Sequence, residues 1–395
     1  MDFYIPEEIH SAMKLMTKKG FTPYLVGGCV RDIIMGRIPH DYDITVNALP
    51  DEIASLFGNE GYKTIAKGHK FGTVGVYINN EMIEITPHRT EGEYNDARHP
   101  DKVQFVKDIT LDLSRRDFTV NAIAMDISGN IVDIFGGCDD IKKGIIKCVG
   151  DPMVRFGEDS LRILRAMRFA SRFGFSIDEA TRIAMVRHSD LVTLISAERT
   201  GSELLETLSY PHFYFISGEC IDVIRKIIPC FIPHEYLLSA SDDVISKLYS
   251  CICTGSGREV SDVCSSLKLK SSESDKIRNM HELYSKILTR DGEKVIFDDK
   301  TRMALCDFKR DHVLSVFDFS GSANDEFCNF LQNGIYTNTD LAVSGGDIIS
   351  CGLFPKEMTS RVLHAILYEV ACGRLNNNKD DILNYLFTPD LEISE

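Results

Sequence analysis

Two aspartates separated by one residue, Asp41 and Asp43, have the residue type and spacing of a metal site. The run at residues 43–46 predicts a β-strand, and residues two apart on a strand point to the same side. Two carboxylates this close repel unless cations neutralise them, and Mg²⁺ prefers carboxylate and phosphate oxygens. The pair therefore predicts a two-metal site that activates a hydroxyl and stabilises departing pyrophosphate. The alternative for an isolated pair is a solvated turn.

A glycine pair upstream of these aspartates favours the metal site over the turn. Gly27 and Gly28 directly follow the strand predicted at residues 24–26 and precede a helical run. Glycines there let the backbone approach a phosphate, and a helix start favours anions. Arg31, one turn further along, is expected to add a positive charge to the same phosphates.

An arginine-rich helix is predicted within residues 155–175, opening at Glu158 and Asp159. One face carries only arginine as its cation, at positions 162, 165, 168 and 172. Asp159, expected beside Arg162 at the rim of this face, could select CTP and ATP. A carboxylate accepts a hydrogen bond from their exocyclic amino groups, while a guanidinium donates to their ring nitrogens. Arg165 and Arg168 could then meet phosphate or the primer strand. The alternative is a solvated, salt-bridged helix face.

The predicted elements indicate an α+β fold. Further strands are predicted at residues 72–78, 82–85 and 122–127, with a turn at 128–130 and loops at 58–70 and 91–101. From about residue 151 the pattern is mostly helical, which indicates all-α modules after a sheet-bearing region. Glu84, in a predicted strand, is either a third acidic group near the metals or a solvent-facing residue.

Composition limits the classes of protein that the chain can be. Its 395 residues suggest two or more domains, and no apolar run approaches a membrane span. The net charge of -15 argues against a general nucleic-acid binder unless basic residues gather on one face. The N-terminus does not have the pattern of a secretory signal, and the 12 cysteines are expected to be reduced thiols, which predicts a cytoplasmic protein.

Six blocks in the first 210 residues closely resemble the bacterial-type CCA-adding enzymes. These belong to the tRNA nucleotidyltransferase and poly(A) polymerase family of the polymerase β superfamily. The blocks, in family order, are LVGGCVRD, DYDI, EGEYNDARHPD, RRDFTVNAIAMD, RFGEDSLRILRAMRF and ISAERTGSELL. The segment at residues 341–386 is also similar to the family's tail.

The resemblance implies four modules and a set of site residues. The modules are a polymerase-β-like nucleotidyltransferase head with a mixed sheet (1–150), a helical neck with the base-reading helix (151–210), a helical body (211–330) and a helical tail (331–395). It implies that Asp41 and Asp43 carry Mg²⁺, and that Asp117 lies by the ribose. The nucleotide-binding residues that it implies are Gly28, Arg31, Arg116, Asp159, Arg162, Arg165 and Arg168.

The function implied is template-independent addition or repair of the 3′-terminal CCA of tRNA from CTP and ATP, with no membrane partner. Residues 67–73 look like the tRNA branch rather than the poly(A) polymerases. Residues 90–101 fill the loop that enzymes adding only cytidines typically lack, so A addition is expected. The alternatives are an A-adding tRNA nucleotidyltransferase, a poly(A) polymerase, a non-catalytic tRNA-binding protein and a nucleotidyltransferase acting on a small molecule. The sequence does not predict an oligomeric state.

Overall fold

The computed structural model describes residues 5–67, 72–79, 81–92, 103–238, 243–287, 298–309, 313, 314, 316, 329–331 and 333–388. Most of residues 67–73 and 90–101, on which the branch and loop predictions rest, lies outside these ranges. The chain separates into two compact units, Met1–Pro229 and Cys230–Glu395. The finer division into head, neck, body and tail stays a prediction.

A seven-stranded mixed sheet forms the centre of the first unit, as predicted. Its strands are β1 Pro23–Val26, β2 Ile44–Val46, β3 Lys63–Lys67, β4 Thr73–Ile78, β5 Glu81–Pro87, β8 Ala124–Met125 and β9 Ile131–Val132. Their order in the sheet is β3-β4-β5-β2-β1-β8-β9. Strands β2 and β5 pair in parallel, while β1 pairs antiparallel with both β2 and β8. Strand β2 is thereby held near the middle of the sheet.

Four more strands form two small sheets beside the main one. Strands β6 (Arg89–Glu91) and β7 (Val103–Phe105) are antiparallel, whereas β10 (Ile145–Ile146) and β11 (Ser176–Ile177) are parallel. The loop predicted at residues 58–70 was wrong in part, because β3 occupies its second half and pairs with β4. The run Lys63-Thr64-Ile65 has too few apolar residues to indicate a strand before its partner is known. The turn predicted at residues 128–130 is confirmed, with Gly129 at φ 84° between β8 and β9.

The helices of the first unit surround the sheet and then continue beyond it. They are α1 Glu7–Lys18, α2 Gly28–Ile34, α3 Pro50–Asn59, α4 Ile109–Ser114, α5 Gly137–Lys143, α6 Pro152–Glu158, α7 Leu161–Phe173, α8 Glu179–Arg187, α9 Ala197–Leu208, α10 Phe213–Glu219 and α11 Ile221–Ile227. Helix α7 is central to this helical part, since Ile163, Ala166 and Ala170 are fully buried. Together these residues form the predicted core-facing side of the arginine-rich helix.

The predicted opening of that helix at Glu158 was wrong. Glu158 ends α6, and α7 begins at Leu161. Asp159 lies in the break with extended backbone (φ -145°, ψ 101°), and its side chain accepts a hydrogen bond from the N–H of Leu161 (3.1 Å). A carboxylate that caps a following helix favours such a break.

The second unit is helical throughout its described residues. Its helices are α12 Val244–Ser250, α13 Gly257–Ser266, α14 Ser271–Ile287, α15 Asp299–Cys306, α16 Gly345–Ser350, α17 Thr359–Ala371 and α18 Lys379–Tyr385. Along the described stretches, no helix is both long and apolar enough to span a lipid bilayer. The eleven cysteines of the described residues are all free. Burial raises the pKa of several, that of Cys29 to about 11, so these thiols are poor nucleophiles.

Candidate active site

Asp43 is positioned by the pairing of three strands at the centre of the sheet. The N–H of Val26 in β1 donates to the carbonyl of Asp43 (3.1 Å), which extends the β1–β2 ladder by one residue. In the parallel pair, Ile44 lies opposite Ile85, so the preceding residues Asp43 and Glu84 are also neighbours. Because side chains alternate along strands, these two carboxylates share the face opposite the buried isoleucines. Glu84 is half-buried there, so it belongs to the aspartate face.

Acidic groups gather around Asp43. Partial desolvation raises the pKa of the Asp43 carboxyl, Arg116 lowers it, and Glu84 and Asp41 raise it again. Asp41 is open to solvent, with a side chain 88% exposed, and its Oδ1 lies 3.1 Å from Nδ1 of His40. Asp41 and Asp43 both precede β2, which begins at Ile44, rather than lying within it. Their carboxylates are nevertheless close enough for the charge of Asp41 to act on Asp43.

This donor set fits a hard divalent cation that also binds a nucleotide. Ionised carboxylates that lie close together are stabilised when a cation lies between them. Within the described part of the chain, no three acidic, histidine or cysteine side chains converge closely enough to make a metal site alone. The remaining coordination would come from phosphate oxygens and water, as is usual for small divalent ions at nucleotide sites.

Gly27 and Arg116 lie against each other near Asp43. Gly27 has φ 74°, which side chains rarely adopt, and a Cβ there would lie 3.0 Å from Nη1 of Arg116. The glycine therefore lets a guanidinium lie against the backbone at the start of α2. Nε of Arg116 is buried and has no hydrogen-bond partner among the described residues.

Arg31 is directed into the protein rather than toward solvent. Its Nη1 donates to Asn121 Oδ1 (2.6 Å), while Nε and Nη2 donate to Asp32 Oδ1 (2.9 and 2.8 Å). The guanidinium also lies 4.5 Å from the ring centre of Phe173. A Cβ at Gly28 would be 3.4 Å from its Nη2. Arg31 thus lies beside the predicted nucleotide turn, but three of its donors are committed to the protein; direct contact with the nucleotide stays a prediction.

Asp112 holds both arginines of the Arg115-Arg116 pair and was not predicted from the sequence. Its fully buried carboxylate accepts from Arg115 (2.8 Å) and Arg116 (3.0 Å), and from the backbone N–H of Arg89 (3.2 Å). Burial alone would raise the pKa of Asp112, but Arg116 and Arg115 outweigh it and lower the pKa to about 2. The sequence did contain a signal for these contacts: Arg115 and Arg116 follow Asp112 by three and four residues, the spacing at which side chains on a helix meet.

Replacing Asp112 with Asn should destabilise the first unit by about 3 kcal/mol at pH 7, because two half-buried guanidinium groups lose their fully buried counter-ion. The pKa of Asp112 is depressed from its ordinary 3.8, so its stabilisation is fully present above about pH 4 and is lost as the pH falls through about 2. Urea titrations of the wild-type protein and of D112N, at pH 7 and near pH 2.5, measure the free energy of unfolding of each. The difference in free energy of unfolding should shrink at the lower pH.

Asp139→Asn is the matched control, since Asp139 is 69% exposed and forms its one ion pair within the described residues with Lys142 at 3.4 Å. It should change stability by less than about 0.5 kcal/mol. An equal loss in both variants, or a pH-independent loss in D112N, would contradict the assignment.

Asp117 and Arg165 form an ion pair that joins the sheet region to α7. Arg165 donates from Nε (2.9 Å) and Nη2 (2.7 Å) to Oδ2 of Asp117. The other oxygen accepts from the Phe118 N–H (2.8 Å) and from Asn121 (3.2 Å). Burial favours a higher pKa for Asp117, but Arg165 outweighs it and lowers the pKa. Contact of Asp117 with ribose and of Arg165 with phosphate stays a prediction.

The side chains of Asp159 and Arg162 have different partners, although the Arg162 N–H donates to the Asp159 carbonyl (3.1 Å). Arg162, buried at 6% exposure, donates to Glu158 (2.8 Å) and to the carbonyls of Arg155 and Arg115 (both 3.3 Å). Asp159, in the helix break, accepts from the Leu161 N–H and lies 3.9 Å from Arg199 of α9. Their nucleotide-reading role stays a prediction.

Arg168 is held by glutamates of a different helix. Its Nε lies 2.7 Å from Glu203 and its Nη1 lies 2.9 Å from Glu206, both on α9. The side chain is only 12% exposed. Contact with phosphate or primer would require these ion pairs to open.

The fold and the carboxylate pair define a nucleotidyltransferase, and comparison with known proteins specifies the family. Residues 23–147 match the family described as "Poly A polymerase head domain". Residues 174–216 match "Probable RNA and SrmB- binding site of polymerase A". The polymerase-type head expected from the sequence is thereby confirmed.

Several proteins that are similar over nearly the whole chain are named CCA-adding enzyme. The chain is 34% identical to the CCA-adding enzyme of Lactobacillus helveticus, covering 95% of each chain. It is 32% identical to that of a Geobacillus species, covering 96% of each. The structure of the Bacillus stearothermophilus CCA-adding enzyme in complex with CTP matches with a TM-score of 0.69 and 28% identity, over 96% of each chain. The chain belongs to the CCA-adding enzyme family, whose members are generally metal-dependent.

The fold is also shared with a tRNA-bound structure. The Thermotoga maritima CCA-adding enzyme complexed with tRNA matches with a TM-score of 0.71 and 20% identity, over 97% of this chain and 95% of that one. The similarity spans both units rather than the head alone. The relatives that are 34% and 32% identical confirm the sequence-based assignment to this family.

Proposed function

We propose that this protein adds or restores the 3′-terminal CCA of tRNA, using CTP and ATP and releasing pyrophosphate. The observation that carries the proposal is the Asp41–Asp43 region beside Gly27 and Arg116, within a chain that resembles CCA-adding enzymes along its whole length. The reaction joins the 3′-hydroxyl oxygen of the tRNA to the α-phosphorus of the nucleotide, and the bond to pyrophosphate breaks.

Asp41 and Asp43 would hold Mg²⁺, because carboxylates and phosphates together make the oxygen-rich environment that this ion prefers. Mg²⁺ bound there would lower the pKa of the attacking hydroxyl and neutralise charge on the leaving pyrophosphate. The role of Arg116 is to approach the nucleotide from the Gly27 side, where its Nε lacks a partner among the described residues. Gly28 and Arg31 shape the adjoining turn.

Base selection is assigned to Asp159 and Arg162. Asp159 would accept a hydrogen bond from the amino group of cytosine or adenine, and Arg162 would donate to the neighbouring ring nitrogen. To bind the base, Arg162 must first break its hydrogen bonds to Glu158 and to the Arg115 carbonyl. Glu158 would then be left with Arg155, which already lies 2.8 Å away, so the exchange leaves no unpaired buried carboxylate. Arg165 and Arg168 complete the predicted nucleotide-binding set.

Nucleotide incorporation on three tRNAs tests this function. The substrates end before the first C, after the first C and after the second C of the terminus. We expect addition of C-C-A, C-A and A respectively, with full dependence on Mg²⁺: EDTA should stop incorporation and excess Mg²⁺ should restore it. An enzyme that adds only A would extend the third substrate alone, and failure to extend any of them would overturn the proposal.

A cytoplasmic location accompanies this function. The free cysteines of the described residues fit a reducing compartment, in which disulfides rarely persist. Fractionation of the source cells, with activity followed on tRNA lacking CCA, would place the enzyme.

A further inference from the structure

Two arginines next to the candidate active site have no acidic partner among the residues that the structure describes. Arg37 follows α2, and Arg172 lies in the last turn of α7. Both are exposed, and neither forms an ion pair with any described residue. The other arginines of α7, at positions 162, 165 and 168, each pair with a carboxylate. Because no described residue neutralises Arg37 or Arg172, both charges are available to an anionic ligand.

The ring of Phe173 holds these two arginines in one place. The guanidinium carbons of Arg37 and Arg172 lie 5.5 and 5.3 Å from its centre. Phe173 itself is 8% exposed, and Arg31 lies 4.5 Å from the same ring centre. An aromatic face attracts cations, so it offsets part of the cost of bringing like charges together. We call the two exposed residues with this ring the Phe173 arginine pair.

Neighbouring acidic groups do not neutralise the pair. The Asp32 carboxylate receives two hydrogen bonds from Arg31. Glu206 is taken by Arg168 (2.9 Å) and by the Tyr210 hydroxyl (3.0 Å). Burial is the largest cause that lowers the pKa of Arg31, and the positive charge of Arg172 lowers it further. The charge of Arg172 is therefore not cancelled by its surroundings. The last turn of a helix favours a cation such as Arg172, but that effect does not account for Arg37.

The position of the pair favours RNA over a free nucleotide. Arg37 is four residues from Asp41, so the chain keeps them within about 14 Å of each other. Arg31 lies against both the Gly28 turn and the Phe173 ring, so the pair is linked to the predicted nucleotide turn indirectly. The match to an RNA-binding region begins at residue 174, directly after Phe173. Arginine suits phosphate because its planar donors bind two oxygens at once.

We propose that the Phe173 arginine pair binds backbone phosphates of the tRNA acceptor strand next to its 3′ end. This inference rests on the proposed function, and it assigns a role to Arg37 and Arg172 that catalysis does not require. The pair holds the primer strand beside Asp41 and Asp43 without contacting the reacting atoms. No bond is made or broken there.

Steady-state kinetics of Arg37→Gln/Arg172→Gln on tRNA lacking CCA test the proposal. We expect the KM for tRNA to rise roughly tenfold, as for the loss of charge-assisted hydrogen bonds. The kcat and the KM for CTP should stay within about twofold. The slope of log tRNA affinity against log salt should fall by about 1.4 to 1.8, for two phosphate contacts. Arg37→Lys/Arg172→Lys should recover most of the salt slope, because it keeps both charges.

Lys142→Gln is the control, because Lys142 is an exposed cation of the same unit, lies outside residues 174–216 and is paired with Asp139 at 3.4 Å. It should leave the KM for tRNA and the salt slope unchanged. The proposal is overturned if the glutamine double variant binds tRNA like wild type, if the KM for CTP rises instead, or if K142Q has the same effect. A wild-type protein that extends no tRNA would refute the function itself, whereas a double variant with unchanged tRNA affinity would refute only this inference.

Discussion

Asp43→Asn is expected to reduce nucleotide incorporation by on the order of a thousandfold, the largest loss that any single change here should cause. The variant keeps the shape of the side chain but removes a negative charge from the place where cations are bound. The Asp43 carbonyl, which accepts from Val26, is unaffected, so the strand pairing should persist. Single-turnover incorporation of CTP into tRNA lacking CCA measures the loss, with circular dichroism to confirm folding.

Asp51→Asn is the control for this experiment. Asp51 is an exposed aspartate in the first turn of α3 and has no part in the proposed site. Its variant should react at the wild-type rate, and D43N should still bind tRNA because RNA is held elsewhere. A D43N enzyme that keeps more than about a tenth of the wild-type rate would mean that Asp43 does not hold the metal.

Asp159→Asn should change which nucleotide is added. An amide can both accept and donate, so it no longer penalises a base with a carbonyl in place of the amino group. We expect the use of UTP relative to CTP to rise by roughly tenfold to a hundredfold, with a lower kcat/KM for CTP. Competition between CTP and UTP on tRNA ending before the first C measures the ratio.

Asp151→Asn is a closely matched control for that change. Asp151 caps α6 through the N–H of Met153 (2.9 Å), just as Asp159 accepts from Leu161 (3.1 Å). Asn preserves both caps, so neither variant should unfold the helices. Relaxed selection in D151N, or unchanged selection in D159N, would contradict base reading by Asp159.

The sequence predicted what depends on local pattern. The strands at residues 24–26, 72–78 and 82–85 were identified because their apolar residues alternate or cluster as a buried strand requires. The Gly27 turn was identifiable because a strand, a glycine pair and a helix follow one another directly. The register of β2 against β5 came from the structure, and it places Glu84 beside Asp43 on one face of the sheet.

The partners of the arginines could not be predicted. Arg168 pairs with Glu203, and Arg165 pairs with Asp117, across separations that no helical period describes. The opening of the arginine-rich helix was misplaced because α7 begins only at Leu161, after a break in which Asp159 accepts from the Leu161 N–H. The net charge of -15 likewise gave no indication that Arg37 and Arg172 meet at the Phe173 ring without an acidic partner among the described residues. Such partners depend on tertiary packing, which a single sequence does not reveal.

The most direct measurement is to sequence the 3′ ends formed on tRNA lacking CCA when all four nucleoside triphosphates are present at equal concentration with Mg²⁺. If carboxylate-held cations drive transfer and protein side chains choose the base, nearly every product should end in C-C-A and stop there. Products with U or G as frequent as C or A, or equal extension in the presence of EDTA, would contradict the account.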